Sequence, residues 1–139
     1  MATEKNLNIM FLALEGQPEW RKAIELEGEA KEENDPQKAR ELYNQSATGL
    51  EGLYESYTNH RHHNRYERIV TADKIVTLFF KAEGWEKCSS KATKYLNFER
   101  SEPLHGVQGG SDPLEFHLVH IRNIGLQARL KQEEGKKLS

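Results

Sequence analysis

The sequence predicts an all-α fold, an antiparallel helical bundle of about five to six helices, with a short N-terminal helix and a glycine-rich loop before the C-terminal helix. Three observations predict it. Apolar residues recur at i, i+3, i+4 and i+7 along most of the 139 residues. Proline and capping residues punctuate those stretches where helices begin. No run of alternating residues is long enough to make a strand, and no unit recurs three times.

Each element has its own signal. Thr3 caps a first helix in which Leu7, Met10, Phe11 and Leu14 share one face, ended by Gly16-Gln17-Pro18. Pro18 opens a second helix, to about Glu33, with Trp20, Ala23, Ile24, Glu27 (by its aliphatic stem) and Ala30 facing inward. Asp35-Pro36 starts a third, because the Asp35 carboxylate accepts orphan amide hydrogens and proline lacks one. Along it Ala39, Leu42, Tyr43, Ser46, Leu50, Leu53, Tyr54 and Tyr57 keep helical spacing. The segment Thr58 to Asn64 reads as a polar turn. A fourth helix runs from about Arg65 to Glu86 and carries two apolar faces, Ile69, Ala72, Val76, Phe79 and Phe80 on one, Ile75, Leu78, Ala82 and Trp85 on the other. Two such faces require two neighbours.

Ser89 or Ser90 caps a short fifth helix through Ala92, Tyr95 and Leu96, and residues 99–111, with three glycines and a proline, form a flexible loop. Asp112-Pro113 with Glu115 makes a capping-box start for the last helix, which presents Leu114, Leu118, Ile121, Gly125 and Ala128. Residues 131–139 read as a frayed, charged tail. Residues 1–139 thus form a single helical domain around a three-helix core at 19–87.

Composition narrows the function classes. Hydrophobic content is 36% against 30% charged residues, enough for a folded core. The lone Cys88 excludes an intramolecular disulfide and fits a reducing compartment, so an intracellular location, cytoplasmic or nuclear, is expected. The apolar run Ile9 to Leu14 is too short for a secretory leader or a membrane span. Net charge is −2, but residues 1–60 hold 12 acidic and 6 basic side chains while residues 61–139 hold 10 and 14. The positive half complements the acidic half or an acidic partner.

Lys22-Ala23-Ile24-Glu25-Leu26, Ala30, Asn34-Asp35 and Ala39-Arg40-Glu41-Leu42-Tyr43 together resemble the first helical hairpin of the microtubule-interacting and trafficking (MIT) domain. Phe80-Lys81-Ala82-Glu83-Gly84-Trp85 resembles the family's third-helix pattern, shifted by a residue. The resemblance covers roughly residues 19–87. It implies a three-helix bundle that accepts a partner helix or peptide in a groove beside the third helix of that bundle. Independently, the second apolar face of the 65–86 helix has helix-in-groove spacing. Ile75, Leu78, Ala82 and Trp85 are the expected anchors, and Lys74 and Lys81 flank them to pair with acidic peptide residues. The expected function is therefore a non-enzymatic interaction module for another protein. A homodimer closed by the same face is a further expectation.

Two other readings compete. Residues 61–100 carry 9 basic and 5 acidic side chains with aromatics among them, and Arg61, Arg65 and Arg68 are candidate phosphate contacts for nucleic acid. A small viral or phage-type inhibitor acting by surface masking would also lack motifs. Neither His60-Arg61-His62-His63 nor His117-x-x-His120 has recognised metal-ligand spacing, so no metal and no cofactor is expected. There is no P-loop, no Gly-x-Ser-x-Gly and no Cys-x-x-Cys, and no base can be placed for Cys88, so no catalytic residue is assigned. Asp73, near the core face of its helix, is expected to pair with an arginine or to cap another element.

Overall fold

The computed structural model describes residues 14–58, 65–101 and 113–138. These residues form five helices and no strand: α1 (Pro18–Glu32), α2 (Pro36–Thr58), α3 (Arg65–Lys81), α4 (Trp85–Arg100) and α5 (Pro113–Leu138). Consecutive helices pack as hairpins, and α3 also packs against α5, so α3 is surrounded by α2, α4 and α5. The expected all-α bundle is what forms. Of the expected N-terminal helix only Leu14 and Glu15 are described, and Leu14 is buried in the core. The rest of that helix, the histidine-rich turn and most of the glycine-rich loop lie outside the described residues.

The starts of α1 and α2 follow local chemistry. Pro18 occupies the first turn of α1 without a side-chain cap. At α2 the Gln37 amide donates to the Asp35 carboxylate at 2.9 Å, the expected N-cap. Inside the α1–α2 hairpin the buried Ser46 hydroxyl donates to the Ala23 carbonyl at 2.7 Å, which fixes the register of two small-residue faces. Leu50, Leu53, Tyr54 and Tyr57 of α2 join the core as their spacing predicts. Ile24, expected inward, is exposed. Its place on the buried side of α1 is taken by Glu27.

The end of α3 differs from the sequence expectation. The helix stops at Lys81, and Glu83 adopts φ 58°, the left-handed conformation. The Gly84 amide donates to the Phe79 carbonyl and the Glu83 amide to the Phe80 carbonyl, each at 3.0 Å. This paired pattern closes a helix C-terminus and reverses the chain. Trp85 therefore opens α4 instead of ending α3. It packs edge-on against Phe80, with ring centroids 5.0 Å apart. Ser89 and Ser90 fall inside α4 and cap nothing; the Ser89 hydroxyl donates to the Glu86 carbonyl.

Reversal at residues 82–84 sends α4 back along α3; Arg68, Ala72, Ile75 and Phe79 form one buried stripe on α3, and Cys88, Ala92, Tyr95 and Glu99 form another on α4. Both stripes carry one charge at the end remote from the turn, and the two charges meet. Arg68 Nε donates to Glu99 Oε2 at 2.5 Å and Arg68 Nη2 to Glu99 Oε1 at 2.7 Å, with both side chains fully buried. The Tyr54 hydroxyl of α2 donates to the same carboxylate at 3.0 Å, and Arg65 donates to the Glu99 backbone carbonyl. The Phe98 ring lies 5.4 Å from the Arg68 guanidinium. Burial, and then the Glu99 charge, push the Tyr54 phenol well above its ordinary pKa, so it remains a donor. The sequence reading had placed Glu99 in a loop; it is the inner end of α4.

The hairpin between α4 and α5 is closed by a backbone approach. A methyl group added at Gly125 would lie 2.6 Å from the Ala92 Cβ, so only glycine fits the crossing. Leu118, Ile121, Gly125 and Ala128 of α5 are buried, as their spacing predicts. Beyond Lys131 the expected frayed tail is instead helix as far as Leu138, with exposed Lys131–Glu134 and Lys136–Glu133 pairs.

Two substitutions test this packing. Arg68→Met strands the Glu99 carboxylate and is expected to cost about 3–5 kcal/mol in denaturant unfolding, whereas adding Glu99→Met returns most of the loss. Gly125→Ala gains helix propensity but forces two backbone-anchored carbons apart, for an expected net loss of about 1–2 kcal/mol. Moving the methyl, by Ala92→Gly in the same chain, relieves the clash and is expected to raise the melting temperature above that of Gly125→Ala alone.

Candidate interaction surface

The residues assigned as docking anchors do not form an open groove. Ile75 and Leu78 are fully buried, because α4 and α5 occupy the side of α3 that carries them. Ala82 and Trp85 are half-buried at the turn that joins α3 to α4. The two apolar faces of α3 have their two neighbours within the chain. The groove expected beside the 65–86 helix is thus filled by the protein itself.

Lys74 and Lys81, placed beside that face to receive an acidic peptide, have found an acid at home. Lys74 Nζ donates to Glu27 Oε1 at 2.6 Å and Lys81 Nζ to Glu27 Oε2 at 3.3 Å, with Lys31 at 4.0 Å. Lys81 also lies 5.8 Å from the Tyr43 ring. Burial alone would raise the Glu27 carboxyl, but the Lys74 hydrogen bond and the charges of Lys74 and Lys81 outweigh it and hold it below its ordinary value. The spacing Ala23, Glu27, Ala30 signalled an inward Glu27; its carboxylate, not only its stem, is what α3 receives.

The candidate phosphate-binding arginines are also engaged. Arg68 is sealed on Glu99 and Arg65 reaches the Glu99 carbonyl, so Arg68 cannot meet a nucleic-acid backbone without unfolding α3. Arg61 lies outside the described residues. Cys88 is fully buried, its thiol donates to the Val76 carbonyl at 3.4 Å, and burial pushes its pKa up to about 12. It has no nucleophilic character in the folded chain.

Asp73 pairs with neither an arginine nor a cap. Two imidazoles of α5 converge on it: His117 Nδ1 stands 2.7 Å from Oδ2 and His120 Nδ1 stands 2.5 Å from Oδ1, with the Thr77 hydroxyl at 3.4 Å. The His117-x-x-His120 spacing therefore serves the joint between α3 and α5. Among the described residues no group of three or more histidine, cysteine or carboxylate side chains is arranged to hold a metal ion. Nor is any described helix long and apolar enough to cross a membrane.

What remains open is the solvent side of α5. Phe116 is 70% exposed, Leu126 52% and Leu130 64%; among the described residues the only other large apolar side chain so exposed is Ile24 of α1. Phe116 stacks edge-on with His117 at 5.8 Å, which ties the exposed ring to the imidazole held by Asp73. Beside this row, Arg122 and Arg129 border a cleft of about 100 Å³ between α4 and α5, lined also by Ala92, Leu96 and Leu126. The sequence reading missed this surface because it tracked only the inward stripe of the last helix. Phe116, Val119, Leu126 and Leu130 were the available signal, a second apolar row on the opposite side.

The chain matches no family model, no curated protein sequence and no solved structure.

The Glu27 cluster yields a pH prediction. A carboxyl with a lowered folded-state pKa contributes stability that is fully present above its unfolded value of about 4.5 and is lost as pH falls through the folded value. Glu27→Gln is therefore expected to cost about 1–2 kcal/mol at neutral pH. It should also make denaturant midpoints fall less steeply than wild type as the pH drops below about 4.5.

Proposed function

We propose that this protein is a non-enzymatic protein–protein interaction module that receives a partner helix along the solvent side of α5. One observation carries the reading: three of the four strongly exposed large apolar side chains of the described residues lie on one side of one helix. Among the described residues, the other apolar stripes are taken up in the bundle. An apolar row on an otherwise closed monomer has a solvation cost that a partner removes. A helix is the natural occupant, since the row follows the period of a helix and offers ridges for a second one. The MIT-like reading of α1–α3 supports a helix-binding role in general terms, with the receiving surface moved from α3 to α5.

The test contrasts two leucines. Leu78→Asp is expected to unfold the domain, because it buries a carboxylate in a dry core. Leu126→Asp should leave circular dichroism unchanged and stability within about 0.5 kcal/mol of wild type, as expected of a surface site. A photo-crosslinking residue in place of Leu126 should give covalent adducts in the host cell, and the same residue in place of Ile24 should not. Equal yields at both positions, or none at either, would remove the reading.

A further inference from the structure

The outward row of α5 has a finer order than a patch. Phe116, Val119, Asn123, Leu126 and Leu130 follow one another at intervals of three, four, three and four residues. That is the a and d seam of a heptad, with Phe116, Asn123 and Leu130 at a and Val119 and Leu126 at d. Phe116, Asn123, Leu126 and Leu130 are exposed, and Val119 is half-buried. The inner face of the same helix, Leu118, Ile121, Gly125 and Ala128, belongs to the bundle. One helix thus carries two rows of the same three-four spacing on opposite sides, one buried in the bundle and one exposed.

From this arrangement the geometry points to a partner: a second copy of the same chain, joined by a parallel, in-register, two-stranded coiled coil of α5 centred on Asn123. The inference rests on the interaction-module reading above and names its partner.

Two features of the row select that occupant. A lone asparagine at an a position sets strand number and register, because in a parallel dimer it meets its own copy and the two amides hydrogen-bond across the two-fold axis. An antiparallel pairing would set Asn123 against Leu126 and leave the amide without a partner. The flanking charges agree. In a parallel dimer each residue before an a position faces the residue five further on in the other helix. Arg129 then faces Glu134 of the second copy, an opposite-charge pair, Arg122 faces the neutral Gln127, and Glu115 and His120, which face each other, are already held by Arg100 and Asp73 of their own chain. No like charges meet. The antiparallel arrangement brings Arg122 against an arginine of the other copy, a repulsive contact.

The bundle permits the geometry. Because the described helices cover only the inner face of α5, a two-fold axis running alongside the outer face places the two sets of helices on opposite sides. The seam from Phe116 to Leu130 spans about 21 Å at ~1.5 Å per residue. It is short, so the association belongs to the weak and reversible class.

Sedimentation equilibrium of the purified full chain over a concentration series tests the state, and single cysteines test the direction. Wild type is expected to move from monomer to dimer with concentration, and Leu126→Asp to remain monomeric with an unchanged circular dichroism spectrum. Phe116→Cys and Leu130→Cys lie fourteen positions apart in the seam. Each is expected to cross-link to its own copy on oxidation, which only a parallel, in-register pair permits; buried Cys88 does not compete. Asn123→Val should tighten association about tenfold and admit larger oligomers. A monomer at every concentration overturns the dimer. Should the photo-crosslinking residue in place of Leu126 nonetheless capture a different protein, the interaction reading stands and only the self-pairing falls. Cross-linking at neither end, or looser association of Asn123→Val, overturns the parallel seam.

Discussion

The buried pair between Arg68 and Glu99 is the constraint around which the bundle is arranged. Neither ion reaches water, so each needs the other along with further donors or acceptors to offset desolvation. Glu99 receives two guanidinium hydrogens and the Tyr54 hydroxyl, and three helices therefore converge at one carboxylate. A slip of α3 along α4 by one turn would bury both charges apart, a far larger cost than losing a few apolar contacts. The pair thus specifies register more than it adds strength. It also determines which way α3 is rotated, and through that rotation which side of α3 faces α5.

That rotation explains why the exposed apolar row lies where it does. With Arg68 turned toward α4, Ile75 and Leu78 enter the core and Asp73 is presented to α5, where two imidazoles receive it. Lys74 and Lys81 turn instead toward Glu27 of α1. Every polar residue of α3 that a sequence reader would assign to an external partner is satisfied by a neighbouring helix. Among the described residues, the exposed apolar surplus falls mainly on the last helix.

Much of the fold was legible from sequence, and what was not follows a pattern. The starts at Pro18, Asp35-Pro36 and Pro113 are local events, encoded by residues that act on their own backbone. The inward faces of α2 and α5 are equally local, because an apolar stripe has one meaning. The misread elements all depended on pairing across distance. The fourth helix reads as continuous to about Glu86, because the left-handed turn that ends it falls on Glu83, a residue with no preference for that conformation. Glu99 continues the Cys88, Ala92, Tyr95 stripe, but a carboxylate at such a position reads as solvated until its arginine is known. Lys74 and Lys81 read as partners of an external acidic peptide and Asp73 as the partner of an arginine or a cap, whereas Glu27, His117 and His120 take them. Which partners they take is decided by the tertiary arrangement, not by spacing. The outward row of α5 was visible in the sequence and was overlooked because one good stripe had already accounted for the helix.

The contact of Gly125 with Ala92 has a consequence for how α5 meets anything outside the molecule. At so close a crossing, turning α5 about its own axis would replace a hydrogen atom with a side chain against the Ala92 methyl of α4, which opposes rotation of the helix. The direction in which Phe116, Leu126 and Leu130 project is then settled before any encounter. Whatever docks there meets an edge already ordered, and the conformational entropy surrendered on binding falls mainly on the incoming side.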